Sequence, residues 1–383
     1  MHPNPLLRWL ALSAVLWSIG SCIEPYFPEL DTYDRFLVVD GRITSAPGPY
    51  TLRLHQASGI YTPEYLPVTG GRVEIGDDQG LRVQLYEVQP GVYQTDSAAL
   101  RGIPGRSYVL SIRLPDGRTY ESAAERMPEP VAIDTVYAEV VYREAAGFDY
   151  ALGGYQFYVD TERPADTAQY FLWEAQATYK YQSDYLIYWA YRGYYEPVAD
   201  PYIYYTCWRS EVVPQLFTYA TRGLDDPQIR QFPLHFVDTE SKRLRLRYSL
   251  LLNQLTLGED AYAFWQAVES QHEAQGALYT QQPYQIRGNV TNTDDPAEPV
   301  LGYFTVAGLS SQRVFVDPPE GGPFHVARCQ LTTEMLGYIL SVASSWPIYV
   351  GLDELGRRGI GEGGCLDCRE AGGTITRPDF WIE

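Results

Sequence analysis

The sequence predicts a mostly β protein: an N-terminal β-sandwich followed by a larger β-rich domain that carries one or two helices. Three observations predict it. Short runs of alternating apolar and polar residues recur at roughly ten-residue spacing between Gly/Asp turns, the pattern of an antiparallel sandwich. Aromatic residues make up 14% of the chain, with 33 Tyr, and sheets favour aromatics. Only one segment shows clear helical periodicity. At 383 residues the chain also exceeds what one compact core usually covers.

The first domain is expected over residues 36–130. Phe36-Leu37-Val38-Val39 with Gly41-Arg42-Ile43 reads as its first strand, and Tyr50 to Leu54 alternates with period two. Arg72-Val73-Glu74-Ile75 alternates, Asp77-Asp78-Gln79-Gly80 turns, and Arg82 to Tyr86 alternates again. Gly91-Val92-Tyr93, Ser107 to Ile112 and Arg118-Thr119-Tyr120 complete the set, with Pro115-Asp116-Gly117 as the last turn. This order of strands and turns is similar to that of immunoglobulin-like or transthyretin-like modules. Met127-Pro128-Glu129-Pro130 ends the domain.

The second domain is expected over 131–383. Tyr155 to Asp160, Ala168 to Ala175, Pro233 to Val237 and Arg243 to Gln254 read as strands. In the last, Arg243, Arg245 and Arg247 alternate with Leu244, Leu246 and Tyr248, which gives one basic and one apolar face. Thr256-Leu257-Gly258-Glu259 reads as a capping box. Ala261, Phe264, Trp265 and Val268 follow helical spacing, and Gly276 supplies a stop, so a helix is expected near 257–275. A second, weaker helix is expected from Thr332 to Ala343. A Cys/Gly-rich tail closes the chain.

The N-terminus reads as an export signal. His2 and Arg8 form a short n-region, and Trp9 to Trp17 is almost wholly apolar but too short to span about 30 Å of hydrocarbon. Ile19-Gly20-Ser21-Cys22 matches the bacterial lipobox. Residues 1–21 are therefore expected to be a lipoprotein signal peptide, Cys22 the lipidated residue and 22–35 a tether. An ordinary signal that happens to hold a cysteine is the alternative. No later segment has 18 consecutive apolar residues, so lipid is the expected anchor. The net charge of −19 and the lack of a basic stripe argue against nucleic acid as a partner.

Cys207, Cys329, Cys365 and Cys368 remain. An even set in an oxidising compartment favours two disulfides, with three pairings open. Cys365-Leu366-Asp367-Cys368 also has the spacing of a zinc or redox motif, but the Gly-rich tail around it lacks the strand-then-helix setting of redox chemistry.

The densest aromatic stretch runs from Tyr179 to Trp208. Tyr188, Trp189, Tyr191, Tyr194, Tyr195, Tyr204 and Tyr205 are its candidate binding residues, because exposed Tyr and Trp stack on sugars or pack into a partner. The competing reading is that these are cross-strand pairs of a sheet, which the period-two pairs Tyr179/Tyr181 and Tyr202/Tyr204 favour. In the adjacent pairs Tyr194-Tyr195 and Tyr204-Tyr205, a strand would turn one member away from the core. No P-loop, dinucleotide fingerprint, His-Glu-x-x-His or Gly-x-Ser-x-Gly is present. His55, His235, His272 and His325 are scattered, and Asp77-Asp78 and Asp294-Asp295 sit in turns. No catalytic residue, metal ligand or cofactor is expected, and the chain is read as a non-enzyme.

Cys22-Ile23-Glu24-Pro25, Leu37-Val38-Val39-Asp40-Gly41 and Ile133-Asp134 form an ordered series of short motifs. Ala261-Tyr262-x-Phe264-Trp265, Gly288-Asn289-Val290-x-Asn292 and Leu301-Gly302-Tyr303-Phe304 continue it. Cys365-x-Asp367-Cys368-Arg369 and Pro378-Asp379-Phe380-Trp381 end it. In this order, over nearly the whole chain, they resemble a Bacteroidota family of outer-membrane lipoproteins, a DUF4249-like domain of unknown function typically encoded beside TonB-dependent receptors. The resemblance implies an outer-membrane, lipid-anchored, cell-surface accessory or binding subunit of a TonB-dependent nutrient importer. It hands over no catalytic residue. The alternatives are a surface-exposed glycan hydrolase and an assembly or adhesion factor.

Overall fold

The computed structural model describes residues 36–57, 64–145, 147–162, 169–224, 228–274, 285–320, 328–334 and 336–383. The signal, Cys22 and tether expected at 1–35 lie outside the described residues, as does Gly276.

The protein is mostly β, as its sequence predicts. The first strands are β1 (Leu37–Thr44), β2 (Thr51–Gln56), β3 (Leu66–Pro67), β4 (Arg72–Asp77), β5 (Arg82–Gln89), β6 (Val92–Gln94), β7 (Ser107–Arg113), β8 (Thr119–Ser122) and β9 (Glu125–Arg126). Their inward positions are apolar at every second residue: Val73 and Ile75 on β4, Val83 and Leu85 on β5, Tyr108, Leu110 and Ile112 on β7. The hydrogen-bonded path β1-β2-β6-β5-β4-β7-β8 ends on β19 (Val290–Asn292). Val39 and Ile43 from one end of this path and Tyr120 and Val290 from the other bury into a single cluster, so the sheet folds over one core. That core takes Val300, Phe304 and Val306 from the C-terminal half of the chain.

The rest comprises β10 (Ile133–Arg143), β11 (Leu152–Thr161), β12 (Tyr170–Gln182), β13 (Trp189–Tyr191), β14 (Tyr195–Pro197), β15 (Thr206–Val212), β16 (Phe217–Ala220), β17 (Phe232–Asp238), β18 (Arg247–Leu257), helix α1 (Glu259–Ala274), β20 (Leu301–Val316), helix α2 (Leu336–Leu340), β21 (Ile348–Leu352) and β22 (Arg358–Gly359). The long strands β12, β18 and β20 pair antiparallel. Both faces of this sheet are covered. Phe171, Trp173, Leu250 and Leu252 meet Phe157, Val159 and Val237 of the β10-β11-β17 sheet on one side. Leu172, Leu255 and Ala307 meet Ala261 of α1 on the other. Burial on both faces shows in the apolar run Tyr170-Phe171-Leu172-Trp173 at the start of β12, whereas from Glu174 to Gln182 polar and apolar residues alternate.

The two halves join through β1 and β20, which pair in parallel from Val38/Leu301 to Thr44/Ala307. Gly302, at φ 80°, makes that junction possible. A Cβ there would collide with the Val39 carbonyl, and one on Gly288 would collide with the Gly302 carbonyl.

Three sequence expectations are corrected. Thr256 does not cap α1. It is fully buried in β18, where its hydroxyl accepts the Val131 amide at 3.1 Å, and α1 starts from Gly258, whose carbonyl accepts the Tyr262 amide. The strand expected from Arg243 begins only at Arg247, because Ser241 caps a 3-10 turn over Lys242–Leu244. The second helix is shorter than expected, Leu336–Leu340 followed by a 3-10 turn over Ala343–Ser345. No helix among the described residues is long and apolar enough to cross a membrane.

Candidate functional site, an aromatic lobe

Between β12 and β15 the chain leaves the sheet over residues 183–205 and returns. This excursion pairs with a segment from the far end of the sequence. The hairpin β13-β14 hydrogen-bonds to β21, which pairs with β22, so four short strands form a separate small sheet. Tyr188 donates its amide to Val350 and accepts from Val198, which fixes the hairpin at its base.

Both expected disulfides form, and they explain why the lobe holds. Cys207 at the start of β15 joins Cys368, and Cys329 joins Cys365. The Cys-x-x-Cys pair therefore does not close on itself, and each member reaches a distant cysteine. Asp367 and Cys368 are buried, and the Asp367 carboxylate accepts the Arg369 amide at 2.9 Å and pairs with its guanidinium at 2.7 Å. That ion pair holds the Arg369 guanidinium well above its ordinary pKa and seats it 3.4 Å over the Tyr204 ring. Asp184, at the foot of the lobe, accepts the Cys329 amide at 3.1 Å and pairs with Lys242 at 3.0 Å.

The structure divides the tyrosine-rich stretch. Tyr179 and Tyr181 belong to β12 and bury their side chains in the core, in line with their period-two spacing. Tyr188, Trp189, Tyr191, Tyr195, Tyr204 and Tyr205 are half-buried within the lobe, and Tyr194 is 63% exposed. The strand argument applies to Tyr194-Tyr195, where Tyr195 enters β14. It fails for Tyr204-Tyr205, which sit in a turn opened by the Asp200 carboxylate accepting the Tyr202 amide.

Inside the lobe the rings interlock. Tyr191 meets Tyr195 edge-on at 5.0 Å and Trp346 at 5.8 Å. Arg358 lies 4.5 Å from the Trp189 ring and 4.4 Å from the Tyr195 ring. Tyr204 packs on Tyr349 at 5.7 Å, and burial raises the Tyr349 pKa. Gly193 turns the hairpin at φ 92°, and a side chain there would press on the Trp346 ring. Around this interlocked centre Tyr194, Tyr202, Ile203 and Tyr338 face outward, with Tyr202 61% and Tyr338 71% exposed. The sequence reading placed the first part of this lobe but missed Tyr338, Trp346, Tyr349 and Arg358. The apolar run Trp346-Pro347-Ile348-Tyr349-Val350 was the signal for Trp346 and Tyr349; no local pattern marks Tyr338 or Arg358.

An aromatic surface of this kind is suited to stacking and packing contacts. Among the described residues no group of three or more His, Cys, Asp or Glu is placed to hold a metal. His235 lies at the core edge beside Arg243, far from the lobe in sequence, and burial pushes its pKa down to about 4.

The family described as domain of unknown function (DUF4249) matches residues 23–313. That range includes β13 and β14 but ends before Cys329, Cys365, Cys368 and β21. No curated protein matches the chain.

Proposed function

The chain belongs to the DUF4249 family, and we propose that it is a binding subunit, anchored by lipid at Cys22 on the outer-membrane surface, that serves a TonB-dependent nutrient importer. Its aromatic lobe is the contact surface for the receptor. One observation carries this reading: two disulfides and an interlocked aromatic centre hold Tyr194, Tyr202, Ile203 and Tyr338 outward in a fixed arrangement. Exposed aromatics are costly to leave in water and, when rigid, lose little entropy on docking. Large outward rings are also the side chains that most often anchor interfaces, at about 2 kcal/mol or more each. The lipobox and the resemblance to a receptor-linked family support a partner in the membrane to which Cys22 would attach.

The test is copurification from detergent-extracted membranes. Tyr194→Ala with Tyr202→Ala should lower recovery of a barrel receptor without changing the thermal midpoint, because neither side chain belongs to a core cluster. Unchanged recovery from a folded double variant would count against the lobe as the contact surface.

A further inference from the structure

On the outer face of the first sheet, β4, β5, β7 and β8 form an open cleft of about 370 Å³ into which Arg72, Arg82 and Arg113 project. Three guanidiniums thus converge on one face of a chain of net charge −19. Their pairing is incomplete. Arg72 and Arg82 share one carboxylate, that of Glu74, at 2.7 and 3.9 Å. Arg113 has no acidic partner among the described residues, and its cross-strand neighbours are Arg72 on one side and Thr119 on the other. Like charges placed directly opposite on adjacent strands repel, and Glu74 offsets only the Arg72 side of this pair, leaving Arg113 without a counter-charge of its own. Ser111 and Thr119 add hydroxyls, and Glu121 adds an acceptor on the far wall.

We propose that this cleft binds a hydroxylated ligand bearing an oxyanion, a saccharide with a carboxylate or sulfate group. The oxyanion sits between Arg113 and Arg72 and relieves their repulsion through charge-assisted hydrogen bonds. Ser111, Thr119, Glu74 and Glu121 meet the ligand's hydroxyls. The site lies on the sandwich and does not depend on the docking role of the aromatic lobe.

Binding of three probes to the purified chain, by calorimetry at low and high salt, tests the proposal: oligogalacturonate, dextran sulfate and neutral dextran. At least one acidic probe should bind, more weakly as salt rises, while dextran does not. Which acid binds distinguishes carboxylate from sulfate. Arg113→Gln and Arg72→Gln should each weaken that binding about tenfold or more. Arg222→Gln, on an exposed arginine paired with Glu259 elsewhere, should leave it unchanged. Arg113→Gln should keep or raise the thermal midpoint, since it removes the like-charge contact and breaks no ion pair. Binding of neither acid, equal binding of dextran, unaltered affinity in the cleft variants, or an equal loss in Arg222→Gln would each overturn it.

Discussion

Arg42 on β1 and Glu174 on β12 meet in a two-pronged ion pair, both nitrogen–oxygen distances 2.6 Å, although β18 and β20 separate their strands in the sheet. The pair spans the junction of the two halves and requires the sheet to curve. Each side chain is about 30% exposed, so water screens the pair in part. Arg42→Ala or Glu174→Ala should each cost about 1–3 kcal/mol by denaturant unfolding, because the remaining charge loses its partner. The double variant should recover about 1 kcal/mol of the summed loss. Strict additivity would show that the pair is not coupled.

Gly302 lies at that same junction, against the Val39 carbonyl. Gly302→Ala should destabilise by about 2 kcal/mol or more, because left-handed backbone strain adds to the collision with the Val39 carbonyl. Gly80 also has positive φ, but an added Cβ there meets nothing within 4 Å. Gly80→Ala should therefore cost only the backbone part, about 1 kcal/mol. Equal costs from thermal melts of the two variants would remove the steric argument.

The Cys207–Cys368 bridge ties the lobe's C-terminal segment to β15. Replacing both cysteines by serine should cost about 2–5 kcal/mol. Hydrogen exchange should rise at 189–191 and 348–352 and stay low in β4 and β7, whose core lies elsewhere. Uniform loss of protection across the chain would show that the lobe does not open on its own.

His235 makes stability depend on pH. Its pKa is about 4 in the folded chain, lowered first by burial and then by Arg243, against an ordinary 6.5. Between those values the unfolded chain binds more protons, so stability should fall as pH drops from about 6.5 to 4, by roughly 2–3 kcal/mol in total. His235→Gln should flatten this part of the profile. A variant with the wild-type slope would place the pH dependence on other groups.

Local pattern and global pairing were not equally legible in the sequence. The alternation of 72–77, 82–86 and 107–112 reported its strands because one face of each is buried and the other is wet. Tyr179 and Tyr181 were legible as core for the same reason. Thr256-x-x-Glu259 misled because the residue types of a cap also suit a buried strand, and the Val131 amide claims the Thr256 hydroxyl. The alternation Arg243, Arg245, Arg247 is real, yet its first half turns instead of extending. Carboxylates of Glu211, Asp184 and Asp317 pair those three arginines in turn. Nothing local specifies that β1 pairs in parallel with β20, or which cysteine meets which. Those contacts join residues far apart in sequence and depend on the assembled sheet. In the lobe, the sequence marked the tyrosines, but their division into interlocked and outward rings follows from β21, which arrives from the other end of the chain.

Site-specific photocrosslinking in intact cells tests the central proposal most directly. A photoreactive residue at Tyr202 or Tyr338, on the outward face of the lobe, should yield a discrete adduct with an outer-membrane receptor. The same residue at Thr291, on the exposed edge strand of the sandwich, should not. A receptor adduct from Thr291 and none from either lobe position would contradict the assignment of the lobe as the docking surface.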